Sequence, residues 1–286
     1  DFLDQLQVAP MAEQDVVENQ VPLEADPDFA ARFDKTLAGA TSKLTAYTSG
    51  GEALVAECVR ETLGLSAKQL PDDEAIATVL DPARNPHLLD TLNTWTHSPL
   101  MRSLNHVTYT FRKKLSHTAD SQDQRHRMVP ASRPLLTRTH TRAPDYLTPD
   151  LIREVPEALA LYDRTMAALW DAKNQLLAMG ARAELALYVL PNAAAVRFTS
   201  TGSLLHQLHK WRMRTCFNAQ REIYEASMEE LAQVREVHPR LAQHIGPPCL
   251  WREGLVANDA LKGPCPEPVW CGVQVWRNFP KVKRVV

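Results

Sequence analysis

The sequence predicts an α+β fold, a small mixed sheet packed against long helices. Three observations predict it. Residues 43–48 and 105–111 alternate in the manner of half-buried strands. Two long stretches, opening near Leu151 and Leu204, carry apolar residues at helical spacing. The chain has 286 residues, 44% hydrophobic and 23% charged, so it can bury a core without disulfides or metal.

Residues 1–42 are polar and acidic, with Pro10, Pro22 and Pro27, and read as a linker or peripheral arm. Within it, Asp26-Pro27-Asp28-Phe29 can start a short helix. The first strand, 43–48, stops at Ser49-Gly50-Gly51. Leu54, Val55, Cys58, Val59 and Leu63 then predict a helix over 52–65. Residues 70–95 predict one or two short helices, and His97-Ser98-Pro99-Leu100 a turn. The β-branched and aromatic run 105–111 is the second strand. Residues 113–145 form a basic centre with Lys113, Lys114, Arg125, Arg127, Arg133, Arg138 and Arg142. Thr148 is a good N-cap, Pro149 suits the first helical position and Asp150 favours the positive helix end. They predict a helix running to Met179, stopped by Gly180. The apolar run 185–190 ends a helix or forms a buried strand, and 196–199 is a further strand. Ser203 caps a helix predicted to reach Val234. The chain divides into the arm, a domain over 43–245, and a Cys/Trp/Pro-rich tail over 246–286.

Charge and motifs narrow the function classes. Lys+Arg 32 against Asp+Glu 34 gives a net charge of −2, which argues against binding a nucleic-acid polymer. No run approaches the ~18 apolar residues of a membrane span. No secretory signal is visible, so the expected compartment is the cytoplasm, with reduced cysteines. Neither G-x-G-x-x-G nor a P-loop occurs, so side chains must hold any nucleotide cofactor.

The sharpest local feature is Gln124-Arg125-His126-Arg127. Arginines offer rigid bidentate donors to phosphate, and an imidazole between them adds a donor or a stacking face. The alternative is a solvated basic turn. Asp120 and Asp123 either orient Arg125 or Arg127 or cap a turn. His206 and His209 share a helix face, where they bind a metal, touch a ligand or pack in an interface. In the tail, Cys249, Cys265 and Cys271 have the spacing C-x15-C-x5-C. A zinc site would need a fourth ligand such as Cys216, His238 or His244. The alternative is a packed tail of free thiols beside Trp251, Trp270 and Trp276.

Arg125-His126-Arg127 resembles the R-H-R motif of the flavin-dependent thymidylate synthases. The resemblance extends to both sides. His97-Ser98-Pro99-Leu100 followed by Tyr109-Thr110-Phe111 is similar to that family's H-x-[ST]-P turn and F-T-F strand. Leu190-Pro191, Arg214 and Asn218-Ala219-Gln220-Arg221-Glu222-Ile223 are similar to its L-P…L-R-x-x-x-x-A-Q-x-E-I run. About residues 43–228 are covered. The resemblance implies an α+β homotetramer, with FAD at subunit interfaces held by Arg125, His126 and Arg127, and Ser98 in the adjacent turn. It implies that reduced flavin relays a one-carbon unit from a methylenetetrahydrofolate to dUMP, with NADPH as reductant. Arg214 would orient the nucleotide base.

The departures from the family pattern fall both in the half of the motif that shapes its pyrimidine pocket and in the helix that covers its flavin, where Ser203, Leu205 and Asn218 lie. Pro130, Ser132, Arg133, Leu135 and Thr137 stand where Ser, Asn, Glu, Ser and Arg are expected. Leu187 and Leu205 replace arginines, Ser203 an asparagine, Asn218 a histidine and Met101 a glutamate. Arg133, Arg138 and Arg142 are candidate replacements for substrate binding. Ser132 and Arg214 are the catalytic candidates. The expected function is one-carbon transfer through reduced FAD to a uracil-type or related acceptor, with an altered substrate, in a dimer or tetramer. The alternative is a catalytically degenerate copy serving as a structural or oligomerisation module.

Overall fold

The computed structural model describes residues 26–90 and 92–284. The earlier part of the N-terminal arm lies outside them. Helix α1 spans Phe29–Leu37, strand β1 Ser42–Tyr47, helix α2 Gly51–Leu63 and helix α3 Asp72–Leu80. Short 3₁₀ turns at Pro86–Leu89, Thr94–His97 and Met101–His106 lead into β2, Thr108–Ser116. Helix α4, His117–Asp123, and the two-residue strand β3, Ala131–Ser132, follow. After short helix α5 (Leu136–Thr139) come α6 (Asp150–Arg153), α7 (Pro156–Ala178) and α8 (Ala183–Ala186). Strand β4, Ala195–Ser203, runs into α9, Leu204–Arg214, and α10 covers Arg221–Val237. Short helices α11 (Pro239–Ala242), α12 (Pro248–Arg252) and α13 (Val275–Asn278) complete the chain.

The sheet has the order β1-β2-β4-β3 and is antiparallel throughout. β2 alternates cleanly: Tyr109, Phe111, Lys113 and Leu115 are buried while Thr108, Thr110, Arg112 and Lys114 are not. The inward side chains meet α2, α3, α9 and α10 in one apolar cluster that includes Val55, Ile76, Leu208 and Trp211. A second cluster, around Phe198, Phe217, Ile223, Val275 and Trp276, joins the far end of the sheet to the tail. On the outer face α1 is pinned by Asp34, which accepts from Arg197 Nε at 2.7 Å and Lys114 Nζ at 2.8 Å.

Three boundaries differ from the sequence reading. β2 begins later and runs five residues beyond Phe111. It continues because Lys113 points into the core. There Lys113 Nζ lies 2.8 Å from Glu230 and 3.3 Å from Asp123, beside Lys210, which reaches the same two acids. The helix expected from Thr148 breaks between α6 and α7. Val155 is extended at φ −116° and ψ 105°, as a residue before proline prefers, and Pro156 restarts the helix. The helix expected from Ser203 to Val234 is two helices, α9 and α10, with a bend at 215–220. The run 185–190 is helical rather than a strand.

Candidate functional site

The loop 124–130 is fixed at both ends before any ligand is considered. Upstream, α4 is capped by Ser116, whose Oγ accepts from the Ala119 N–H at 3.1 Å. At its other end His126 N–H donates to Asp123 O at 3.1 Å and Val129 N–H to His126 O at 2.8 Å. Downstream, Thr201 N–H donates to Pro130 O at 3.1 Å and β3 joins the sheet. Val129 is buried against Gly202. A Cβ there would stand 3.1 Å from both Val129 methyls, so the glycine admits the loop to the sheet.

The loop forms one wall of a cleft of about 520 Å³. Arg125, His126, Arg127, Met128 and Val129 line it from that loop, together with Asn93, Thr96, His97, Arg102 and Asn105 and, on α9, Leu205, His206 and His209. Among the described residues no carboxylate lines it. Three guanidinium groups and four imidazoles do. Arg125 and Arg127 are exposed and have no anionic partner among the described residues. The buried Nδ1 of His209 has no hydrogen-bond partner there. A cleft of this size is in the range that holds small ligands and cofactors, and its donors suit a polyanion.

His126 is held by Arg214, whose Nε donates to His126 Nε2 at 2.8 Å. Arg214 also donates to Gln122 Oε1 and to Gln122 O, each at 3.0 Å. Because a guanidinium has no acceptor, the neutral ring must carry its hydrogen on Nδ1. Burial, with Arg214, Lys210 and His209 beside it, lowers the His126 imidazole to about 3. It is therefore neutral at physiological pH. Its ring meets that of His209 edge-on, with centroids 5.6 Å apart. His206 Nδ1 pairs with Ser203 Oγ at 3.0 Å.

The structure thus brings together Arg125, His126 and Arg127 with both α9 histidines. Ser98 sits in the turn beside the cleft, and its neighbour His97 lines it. Arg214 lies behind His126 rather than on the cleft wall. Arg133 is occupied elsewhere: its Nε bonds both Asp120 oxygens, at 2.9 and 3.0 Å, and its guanidinium stacks over Phe198 at 4.8 Å. Asp120 thus serves Arg133, and Asp123 serves Lys113 and Lys210, so neither orients Arg125 or Arg127. Ser132 is exposed on β3 opposite Thr199. Arg138 lies on α5, and Arg142 is exposed in the loop that follows. Leu187 lines a second cleft of about 560 Å³ with Leu190, Tyr188, Trp170 and His140. Met101 is buried in the core, 3.2 Å from Asn85 Nδ2, and Asn218 binds Val269 O in the tail. Sequence reasoning missed Asn93, Thr96, Arg102 and Asn105. Thr96, Arg102 and Asn105 sit on 3₁₀ turns and Asn93 directly precedes one, and such turns carry no periodic signal.

Cys249, Cys265 and Cys271 stand with Cys216 around a small cavity of the tail, whereas His238 bonds Tyr109 OH at 2.8 Å and His244 lies beside Gln243. Burial pushes the Cys216 thiol up to about 11 and Cys249 up to about 12. Among the described residues no helix is long and apolar enough to cross a membrane.

Comparison with known proteins converges on one family. The family model described as thymidylate synthase complementing protein matches residues 43–240. The flavin-dependent thymidylate synthase of Saccharolobus solfataricus is 28% identical over 228 residues, covering 76% of this chain and 81% of the relative. That of Sulfurisphaera tokodaii is 27% identical, covering 77% and 82%. That of Geobacter sulfurreducens is 30% identical over 167 residues, covering 57% and 67%.

Proposed function

The chain belongs to the thymidylate synthase complementing protein family, and on that footing we propose that it is a flavin-dependent transferase of a one-carbon unit. The observation that carries the reading is the cleft lined by Arg102, Arg125, Arg127 and four histidines without a carboxylate. FAD fits this donor set. Its diphosphate needs cationic donors that are not already paired, and Arg125 and Arg127 meet that need without a glycine loop. The buried, unpartnered Nδ1 of His209 offers a further polar contact for a bound group. When bound, the flavin supplies the redox and one-carbon relay chemistry; the protein supplies binding and orientation.

Each residue then has a part. Arg125 and Arg127 bind the diphosphate. His126 stays neutral and is aimed by Arg214, which acts as a positioning residue. Leu205 and Val129 exclude water from the apolar part of the cleft lining. NADPH and a methylenetetrahydrofolate are the proposed reductant and one-carbon donor. The acceptor is a uracil-type nucleotide or a less anionic relative, because Leu187 and the Asp120-bound Arg133 leave fewer free cations for a second phosphate. The chain acts as a homo-oligomer. Tyr188, Met179, Leu185 and Leu161 are exposed on α7 and the segment after it, an apolar face suited to another copy.

The test is a fluorescence titration with FAD. Tight binding is expected, and Arg125→Ala should weaken it by about tenfold or more, the loss of roughly one charge-assisted hydrogen bond. Unchanged affinity in that variant would remove the diphosphate assignment. Binding of FAD without turnover of dUMP supports a different acceptor, and failure to bind FAD supports the degenerate module.

A further inference from the structure

Four of the five cysteines converge on one point outside the cleft lining. Cys216 comes from the bend between α9 and α10, Cys249 from α12, and Cys265 and Cys271 from the irregular tail. All four line one cavity of about 10 Å³. That is room for about one water-sized occupant. Its remaining walls include Trp270, Trp276, Phe217 and prolines. Each of the six pairs among the four thiols lies within electrostatic reach. The fifth cysteine, Cys58, is on α2 and takes no part in the cavity.

Burial raises the Cys216, Cys249 and Cys265 thiols, and the nearby backbone of Asn218, Leu250 and Glu267 offsets only part of that. Lys262 and Arg284 add positive charge nearby, against Glu267 on the cavity wall. Among the described residues no group of three or more His, Cys, Asp or Glu side chains stands where it could hold a metal ion, so the four thiols would have to close in on one.

We infer that Cys216, Cys249, Cys265 and Cys271 form a structural tetrathiolate site for Zn²⁺. Four soft sulfur donors in a largely apolar shell select zinc in a closed tetrahedral geometry with Zn–S of about 2.3 Å. Each thiol loses its proton to solvent as the metal binds, so one dication replaces four protons and the site carries two negative charges. The ligands are widely separated in sequence, so the metal would tie the tail to the bend that directly follows Arg214. It would stabilise the platform behind His126 without touching the cleft.

The experiment uses the full chain expressed with supplementary zinc and purified without chelator. Elemental analysis should find one zinc per chain, retained through dialysis. Replacement by Co²⁺ should give the intense visible bands and sulfur-to-metal charge transfer of a tetrahedral thiolate site. Cys265→Ser with Cys271→Ser should lose the metal and lower the melting temperature, while Cys58→Ser keeps both. Should the double variant fail to fold, the cobalt spectrum of the unaltered chain decides alone. A folded, unaltered chain without zinc whose four thiols all react as free thiols would overturn the site. So would an intact mass showing these cysteines joined as disulfides.

Discussion

Glu230→Gln tests the buried charge cluster that underlies the cleft. Glu230 is 1% exposed. It accepts from Lys113 Nζ at 2.8 Å, Lys210 Nζ at 3.0 Å, Trp211 Nε1 at 2.7 Å and Ser42 Oγ at 3.0 Å. With Asp123 it balances two ammonium groups by two carboxylates. The variant keeps the volume but removes one negative charge and turns one oxygen into a donor facing donors. Breaking a buried ion pair on one side costs about 3–5 kcal/mol. At roughly 2–4 °C per kcal/mol for a chain somewhat shorter than this one, the melting temperature should fall by about 6–20 °C. Calorimetry or a circular dichroism melt measures it. Adding Lys210→Met restores the charge balance, so the double variant should be more stable than the sum of the singles by about 1 kcal/mol or more. A shift under about 2 °C in Glu230→Gln, or strict additivity, would refute the reasoning. Burial pushes the Glu230 carboxyl up, but Lys113 and Lys210 hold it below its ordinary value; Asp123 behaves alike. Both contributions are therefore complete above the ordinary carboxylate range and are lost as pH falls through the lowered folded values.

Two further predictions concern the cleft and the assembly. Arg214→Gln should raise the His126 imidazole from about 3 toward its ordinary value, read by NMR titration, and weaken FAD binding. Because the unfolded chain takes up that proton first, His126 lowers stability as pH falls from the ordinary histidine range to about 3. The slope is at most about 1.4 kcal/mol per pH unit and should be shallower in the variant. An unchanged titration would deny Arg214 its positioning role. Light scattering at micromolar concentration should show a dimer or tetramer, shifted toward monomer by Tyr188→Glu with Met179→Glu; a strict monomer that binds FAD would exclude a shared site.

Much of the fold was legible because hydrophobic period carries it. The strand at 43–48, the helix at 52–65 and the strand at 196–199 all appear, displaced by a few residues at most. What escaped was hidden by charge or by continuity. Lys113 reads as a solvated end to β2, yet a lysine can sit inward when Glu230, 117 residues further on, comes to meet it; no local pattern announces that partner. The bend at 215–220 was invisible because Cys216 and Ala219 extend the apolar stripe straight across it. The Arg-His-Arg triplet was legible as a cation cluster. Which arginines remained available to a ligand was not, since Arg133 and Arg214 are occupied by residues that only the folded chain brings near.

That division of the cations bears on specificity. Lys113, Lys210, Arg133, Arg197 and Arg214 are all tied to the protein's own acids, amides or rings, so they shape the scaffold and would have to break native contacts to meet a substrate. Arg102, Arg125 and Arg127 line the cleft and lack carboxylate partners among the described residues. A diphosphate bound as proposed would meet Arg125 and Arg127 without any such exchange. A second phosphate reaching toward Leu187 would enter a cleft whose lining includes Asp145 and Glu184 and, among the described residues, no arginine or lysine, so it would meet like charge without a cationic partner. On the proposed flavin reading, Arg125 and Arg127 would take the diphosphate, and an acceptor in the cleft around Leu187 would find fewer free cations, because Arg133 is already bound to Asp120.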